Sequence, residues 1–216
     1  MNCCQCQGIE EVFDTKTAKN DLKRYHKKGP AKSTRFLLDW LKQLGETGLT
    51  LLDVGGGVGI IQHELLQAGA VETAVHVDAA SPYLQVSQKE ARRLGHAERV
   101  TYQLGNFVDL APKLETADIV TLDRVLCCYH DMPALVNAAA GRSEKYIGFV
   151  FPRDPLVFKW AVQLVNLIYR LSKNPFRIFI HPTKEIDTRL NHLGFQRIVH
   201  KADFFWQSMV YVKSGS

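Results

Sequence analysis

Leu51-Leu52-Asp53-Val54-Gly55-Gly56-Gly57-Val58-Gly59 constrains the fold of this chain more than any other stretch. An apolar run ends at an acid and passes into a glycine-dense turn, and Ile60 to Gln67 follows with a helical pattern. Glycine has no Cβ and tolerates φ > 0, so such a turn lets main chain approach its neighbours closely. A strand feeding a helix through so tight a turn is the opening step of an open α/β sheet, whose ligands lie outside the carboxyl ends of the strands.

The rest of the chain repeats this alternation. Strands are expected at Leu49–Val54, Val75–Val77 (ending at Asp78), Val100–Leu104, Asp118–Leu122, Tyr146–Phe151, Phe195–Val199 and Phe205–Val212. Helices are expected over residues 10–28, from Pro30 as a first helical residue, from Ser81 as N-cap to Leu94, and over Pro133–Ala140. Phe36, Leu37, Trp40, Leu41 and Leu44 recur at helical spacing. The expectation is one α/β domain over residues 1–216, a doubly wound seven-stranded mostly parallel sheet with an antiparallel C-terminal hairpin. Residues 1–45 would form an N-terminal helical cap, and residues 152–182 a helical lid inserted after strand five.

The dinucleotide fingerprint G-x-G-x-x-G needs a third glycine for helix–strand packing. Gly55 and Gly57 supply the first two, but Ile60 stands in the third place. The turn instead reads D-x-G-x-G-x-G, which resembles motif I of the class I S-adenosylmethionine-dependent methyltransferases. That cofactor carries a cationic sulfonium, an ammonium and a ribose diol, all of which suit carboxylates, and it has no phosphates for a helix N-terminus to hold. The resemblance implies cofactor contacts from Asp53, Gly55, Gly56 and Gly57. Asp78 and Ala79 end strand two, where a carboxylate accepts ribose hydroxyls. Asn106 and Phe107 end strand three, at the adenine position. Asp123 and Arg124 end strand four, toward the methionine end.

The run Asp118–Asp131 is similar to motif IV and its loop. Methyl transfer is an in-line displacement, so positioning supplies much of the acceleration, and a base is needed only where the acceptor must lose a proton. His130 is the first candidate, since histidine is the commonest general base, with Tyr129 and the distant Tyr25 beside it, and Asp131 and His181 as further groups. The N/D-P-P-Y/F pattern of amine methyltransferases acting on nucleic acid is absent, and neither Cys127 nor Cys128 follows a proline as in cytosine-C5 enzymes. With a net charge of only +5 and no aromatic-and-basic interleaving, the expected partner is a small molecule and no nucleic acid.

Leu156–Lys173 is almost wholly apolar, with Lys159, Gln163, Asn166 and Arg170 forming one narrow stripe. A helix of this kind is expected to be buried, to wall an apolar acceptor pocket, or to make weak peripheral contact with a membrane. A proline-flanked apolar helix before a final hairpin is similar to Mg-protoporphyrin IX O-methyltransferases. Val125-Leu126 and Tyr129 match that family, while Cys128 stands where it has His, and Tyr25 corresponds to an N-terminal Tyr. The resemblance makes a porphyrin carboxylate one alternative acceptor, and Arg124, Arg153 and Arg177 are candidate partners for an acceptor carboxylate.

Met1–Glu10 lacks a basic-then-apolar signal, so a cytoplasmic location is the default expectation. Cys3, Cys4 and Cys6 do not form a disulfide framework, and a closed zinc site would need a fourth ligand from His26, Cys128 or a second subunit. No resident metal is expected. A non-catalytic cofactor-binding or cysteine-based metal-sensing protein is the alternative to an enzyme.

Overall fold

The computed structural model describes residues 8–215 apart from residue 10. Helix α1 (Thr15–Lys28) begins where the Asp14 carboxylate accepts from Thr17 N–H at 2.7 Å, and stops at Gly29, whose φ of 69° no β-carbon opposes. Helix α2 (Lys32–Leu41) begins later than expected. Ala31, extended, takes the N-cap, so Pro30 lies outside the helix and its carbonyl accepts from Arg35.

Seven strands follow: β1 (Thr50–Val54), β2 (Thr73–Asp78), β3 (Val100–Leu104), β4 (Ala117–Asp123), β5 (Ser143–Pro152), β6 (Phe195–Ala202) and β7 (Trp206–Lys213). They form one sheet in the order β3-β2-β1-β4-β5-β7-β6. The first five are mutually parallel, and β7 enters antiparallel between β5 and β6, as the expected C-terminal hairpin requires. Strand β5 exceeds the expected Tyr146–Phe151 because β4 and β7 pair with it on both sides.

The crossovers are α3 (Ile60–Gln67), α4 (Ser81–Leu94), the short α5 (Phe107–Leu110) and α6 (Met132–Arg142), with α7 (Leu156–Leu171) and α8 (Thr183–His192) before the hairpin. Ser81 is not the cap of α4. The Asp78 carboxylate accepts from Ala80 N–H at 2.8 Å, which fixes the helix entry one residue earlier, with Ala80 as N-cap.

Period-two alternation sends β-strand side chains to two cores. Leu52, Val120, Ile147 and Phe149 meet α6 and α8 through Leu135, Val136, Ile186 and Leu190. Leu51, Ile119 and Val150 meet α2 and α3 through Leu37, Leu38, Ile61 and Leu65. Helix α2 packs closely because β5 offers Gly148 beneath it, where a β-carbon would lie 2.6 Å from Leu37 Cδ1. Leu37 is fully buried. Leu37→Ala is therefore expected to lower unfolding free energy by about 3 kcal/mol, through lost transfer energy and the cavity left behind. Urea denaturation checks this, and a loss under about 1 kcal/mol would mean that α2 is not docked this way.

Helix α7 overturns the expectation of burial. Only Val162 and Asn166 are buried, and Leu156, Trp160 and Leu171 are more than 70% exposed. The stripe that reads as polar in the sequence is partly the inward one, because Asn166 is bonded to a neighbouring strap: its Nδ2 donates to Ile178 O at 2.7 Å and its Oδ1 accepts from Ile178 N–H at 2.8 Å.

Candidate functional site

The strand order reverses between β1 and β4, and the crevice at their carboxyl ends is where an open α/β sheet binds ligands. One cavity opens there. Its walls include Asp53, Gly55, Gly56, Gly57, Asp78, Ala79, Asn106, Phe107, Asp123 and Arg124, so all ten residues expected to hold a cofactor face one space.

The glycine turn is shaped by its neighbours. Gly55, Gly57 and Gly59 have φ of 60°, 59° and 86°. A β-carbon on Gly55 would lie 2.4 Å from Val125 Cγ2 of the loop after β4, and one on Gly56 2.7 Å from His76 Cε1 and 2.8 Å from Asp53 Oδ2. Gly55 N–H donates to Val77 O at 2.7 Å, and Gly57 N–H to Asp78 Oδ2 at 2.9 Å. Asp78 thus organises both the turn and the start of α4, and its carboxylate keeps lone pairs for further donors. Burial raises its pKa to about 6, against the pull of its backbone donors.

Asp53 is fully buried and its Oδ1 accepts from Thr121 Oγ1 at 2.8 Å, while Oδ2 has no hydrogen-bond partner. Burial, then the charges of Asp123 and Asp78, push its pKa up to about 7, with the Thr121 bond opposing. Asp123 accepts from Thr34 Oγ1 at 2.7 Å through Oδ2, and its buried Oδ1 accepts no hydrogen bond, lying 3.8 Å from Arg124 Nε. Burial raises this acid too, against Arg124 and Thr34. Three strand-end carboxylates with raised pKa therefore share one cavity, and two of them carry a buried oxygen with unmet acceptor capacity. Each such oxygen costs free energy until a donor arrives. A cationic ligand bearing hydroxyls answers that demand.

Arg124 has the left-handed φ of 63°, unusual for a residue with a β-carbon. Its guanidinium lies 4.8 Å from the Trp206 ring centre, with a weak contact to Ser33 at 3.4 Å. Asn106 caps α5, its Oδ1 accepting from Val108 N–H at 3.3 Å, and Phe107 is buried beside it.

The three catalytic candidates separate. Tyr129 lines the cavity. His130, next along, is exposed and stacks on Tyr129 with ring centres 5.6 Å apart, because the turn Leu126–Cys128 and the cap that Asp131 supplies to α6 carry the chain outward. Tyr25 is also outside the lining; its hydroxyl donates to Glu64 on α3 at 2.8 Å, and burial with that carboxylate holds it well above the usual tyrosine range. His181 Nε2 donates to Leu126 O at 3.0 Å and Tyr129 O at 2.9 Å, pinning the loop rather than facing the cavity, and burial lowers its pKa. Arg153 and Arg177 bond to main-chain carbonyls away from the cavity. Among the described residues no three His, Cys, Asp or Glu side chains are arranged to hold a metal, and Cys3, Cys4 and Cys6 lie outside the described residues.

Several participants escaped the sequence reading. Phe13, Asp21 and Arg24 of the N-terminal segment and Tyr83 of α4 also wall the cavity, and Tyr83 donates to Asp21 Oδ2 at 2.6 Å. Beneath the glycine turn, register aligns Thr121, Asp53, His76 and Tyr102 as a polar row across four strands. Gln62 Oε1 accepts from His76 Nδ1 at 2.9 Å, and burial holds His76 neutral with a pKa of about 3. A polar residue repeated one or two places before the end of each of these strands was the available signal.

Residues 52–142 match the model of a methyltransferase domain family. The magnesium protoporphyrin IX methyltransferase from Synechocystis PCC 6803, solved with bound SAH, superposes with a TM-score of 0.73 at 20% identity, over 97% of this chain and 100% of that one. An O-methyltransferase family protein from Burkholderia thailandensis gives 0.72 at 18% identity, over 96% of this chain and 64% of that one. A ribosomal protein L11 methyltransferase from Yersinia pseudotuberculosis is 36% identical over 109 residues, so that the match spans 50% of this chain and 36% of that protein. At these identities the solved structures speak for the fold. Residues 52–142 therefore match a methyltransferase domain, set in a chain whose strand order and glycine turn give it the fold of these solved methyltransferases.

Proposed function

We propose that this protein transfers a methyl group from S-adenosylmethionine to a small acceptor that is apolar over most of its surface and presents an anionic atom. The observation that carries the reading is the trio of raised-pKa carboxylates, Asp53, Asp78 and Asp123, on one cavity, two of them with an unpartnered buried oxygen. When bound, the cofactor supplies a methyl carbon on a sulfonium; a nucleophile forms a bond to that carbon, the carbon–sulfur bond breaks, and the sulfur leaves neutral. Asp78 would accept the ribose hydroxyls, Asn106 and Phe107 would meet the adenine, and Asp53 and Asp123 would face the cationic end. Val125, Cys128, Tyr129 and Leu135 wall the cavity with apolar or weakly polar surface, and Arg24 and Arg124 are its cations.

No histidine stands among the described lining residues. An acceptor that arrives ionised needs no base, so a carboxylate fits better than an alcohol. A similar fold in a magnesium protoporphyrin IX methyltransferase supports this choice. Turnover of a panel of carboxylates, amines and thiols with labelled S-adenosylmethionine tests this. Label in a carboxylate ester supports it; label only in amines overturns the acceptor, and cofactor binding without turnover favours a non-catalytic binder.

The same carboxylates predict the pH dependence of cofactor binding. Asp53 with a pKa of about 7 and Asp78 of about 6 hold protons in the free protein at mildly acid pH. Their pKa values are raised above those of the unfolded chain, so the protonated forms favour the free fold at low pH, and that contribution is lost as pH rises through these values. A cation favours the ionised forms, so its binding releases protons. Affinity is expected to rise as pH goes from about 5 to 7, by up to about tenfold per unit for one proton released, and to level off above. Calorimetry in buffers of different ionisation enthalpy reads the proton directly; a flat profile would remove these acids from the cation's surroundings.

A further inference from the structure

One side of helix α7 faces away from the other described residues. Leu156, Trp160, Leu164, Leu167 and Leu171 share its outward side at helical spacing, and their exposures run from 49% to 77%. Val157, Ala161 and Ile168 complete the same arc, so that arc holds no polar side chain. Phe204, at the turn between β6 and β7, is 82% exposed and continues the surface, its ring centre 5.4 Å from that of Phe158. One edge of the arc is cationic. Lys159, Arg170 and Arg177 border a cleft between α7 and the strap at residues 177–181, and Arg153 and Lys173 flank the helix ends. Against these five cations the span from 153 to 181 has one acid, Asp154, whose carboxylate is taken by Thr183.

We propose that this face docks the protein on an anionic lipid surface, with α7 lying in the plane of the interface. Its 16 residues do not cross a bilayer, and no helix among the described residues is long and apolar enough to do so. A helix with Trp and Leu on one side and Lys and Arg along the edge instead buries its apolar side at the headgroup boundary. Charge decides between lipid and a second copy of the chain. A two-fold interface sets the same patch against itself and would draw these cations together, whereas anionic headgroups neutralise them. The docked helix would communicate with the cavity. Asn166 holds the strap, Phe179 N–H donates to Cys127 O at 2.8 Å, and His181 grips the Leu126–Tyr129 loop, so the membrane face and the cavity wall share one bonded connection. The docking rests on the surface of α7 and not on the proposed acceptor.

Flotation with phosphatidylcholine vesicles, with and without phosphatidylglycerol, tests it on the full chain. Binding to the anionic vesicles, weakened by salt, is expected. Trp160→Glu with Leu164→Glu should lower the partition coefficient more than about 100-fold, with circular dichroism and S-adenosylmethionine binding retained. Arg170→Glu with Lys173→Glu keeps the apolar arc and should abolish the preference for anionic vesicles, which serves if the first variant misfolds. The proposal is overturned if wild type ignores both vesicles, if the variants bind as wild type does, or if sedimentation velocity finds a dimer that the first variant dissociates while no vesicle binding is seen.

Discussion

Asp78→Ala is expected to weaken S-adenosylmethionine binding by at least about 100-fold, because the carboxylate would accept charge-sensitive hydrogen bonds from the ribose while holding the turn that carries them. Its two oxygens already accept from Gly57 N–H and Ala80 N–H, so the alanine also leaves two backbone donors of the site unmet. Asp78→Asn separates these effects. The amide keeps one acceptor for the backbone and loses the charge, so it should retain most of the stability and still bind the cofactor about tenfold more weakly than wild type. Titration calorimetry with matched thermal melts reads both quantities. Unchanged affinity in Asp78→Ala would remove this residue from the ribose role, and an Asn variant as weak as Ala with a normal melt would assign the whole effect to charge.

Gly56→Ala is the second large effect. The added carbon meets His76 Cε1 at 2.7 Å and Asp53 Oδ2 at 2.8 Å, and both partners sit on strands packed into the sheet. Neither can retreat without disturbing the Thr121–Asp53 bond or the bond between His76 and Gln62 of α3. A loss of about 2–4 kcal/mol in stability follows from overpacking, together with loss of cofactor binding. Gly141→Ala is the control. It lies in α6 with nothing within 4 Å of the added carbon, and should be neutral or stabilise the helix by up to about 1 kcal/mol. Urea denaturation of the pair decides; equal stabilities would mean that the floor of the turn is looser than these distances state.

The fold was legible because period and punctuation agree across the chain. Seven apolar runs became seven strands, and the boundary errors lie where tertiary groups intervene: Ala80 replaces Ser81 as cap because Asp78 reaches its N–H. The residues expected to hold a cofactor line one cavity for a related reason, since strand ends in a doubly wound sheet converge on one edge whatever the helices do. The acceptor side was less so. His130 reads as a base from its neighbours in sequence, yet the turn before it and the Asp131 cap direct it to the surface.

Helix α7 marks the boundary between the two kinds of knowledge. The amino-acid order alone determined that a helix apolar all round but for one narrow polar stripe follows β5, and that a D-x-G-x-G-x-G turn ends β1. Both are local statements, carried by spacing and by the absence of Cβ. Only the tertiary structure decided which way the helix faces: Val162 and Asn166 turn inward, Asn166 bonded to the Ile178 main chain, and the large apolar arc is left outside. Likewise only the sheet register brought Asp53, His76 and Thr121 side by side beneath the glycine turn. Residues distant in sequence become neighbours through packing, and the burial that follows is what shifts their protonation and leaves their oxygens seeking a partner.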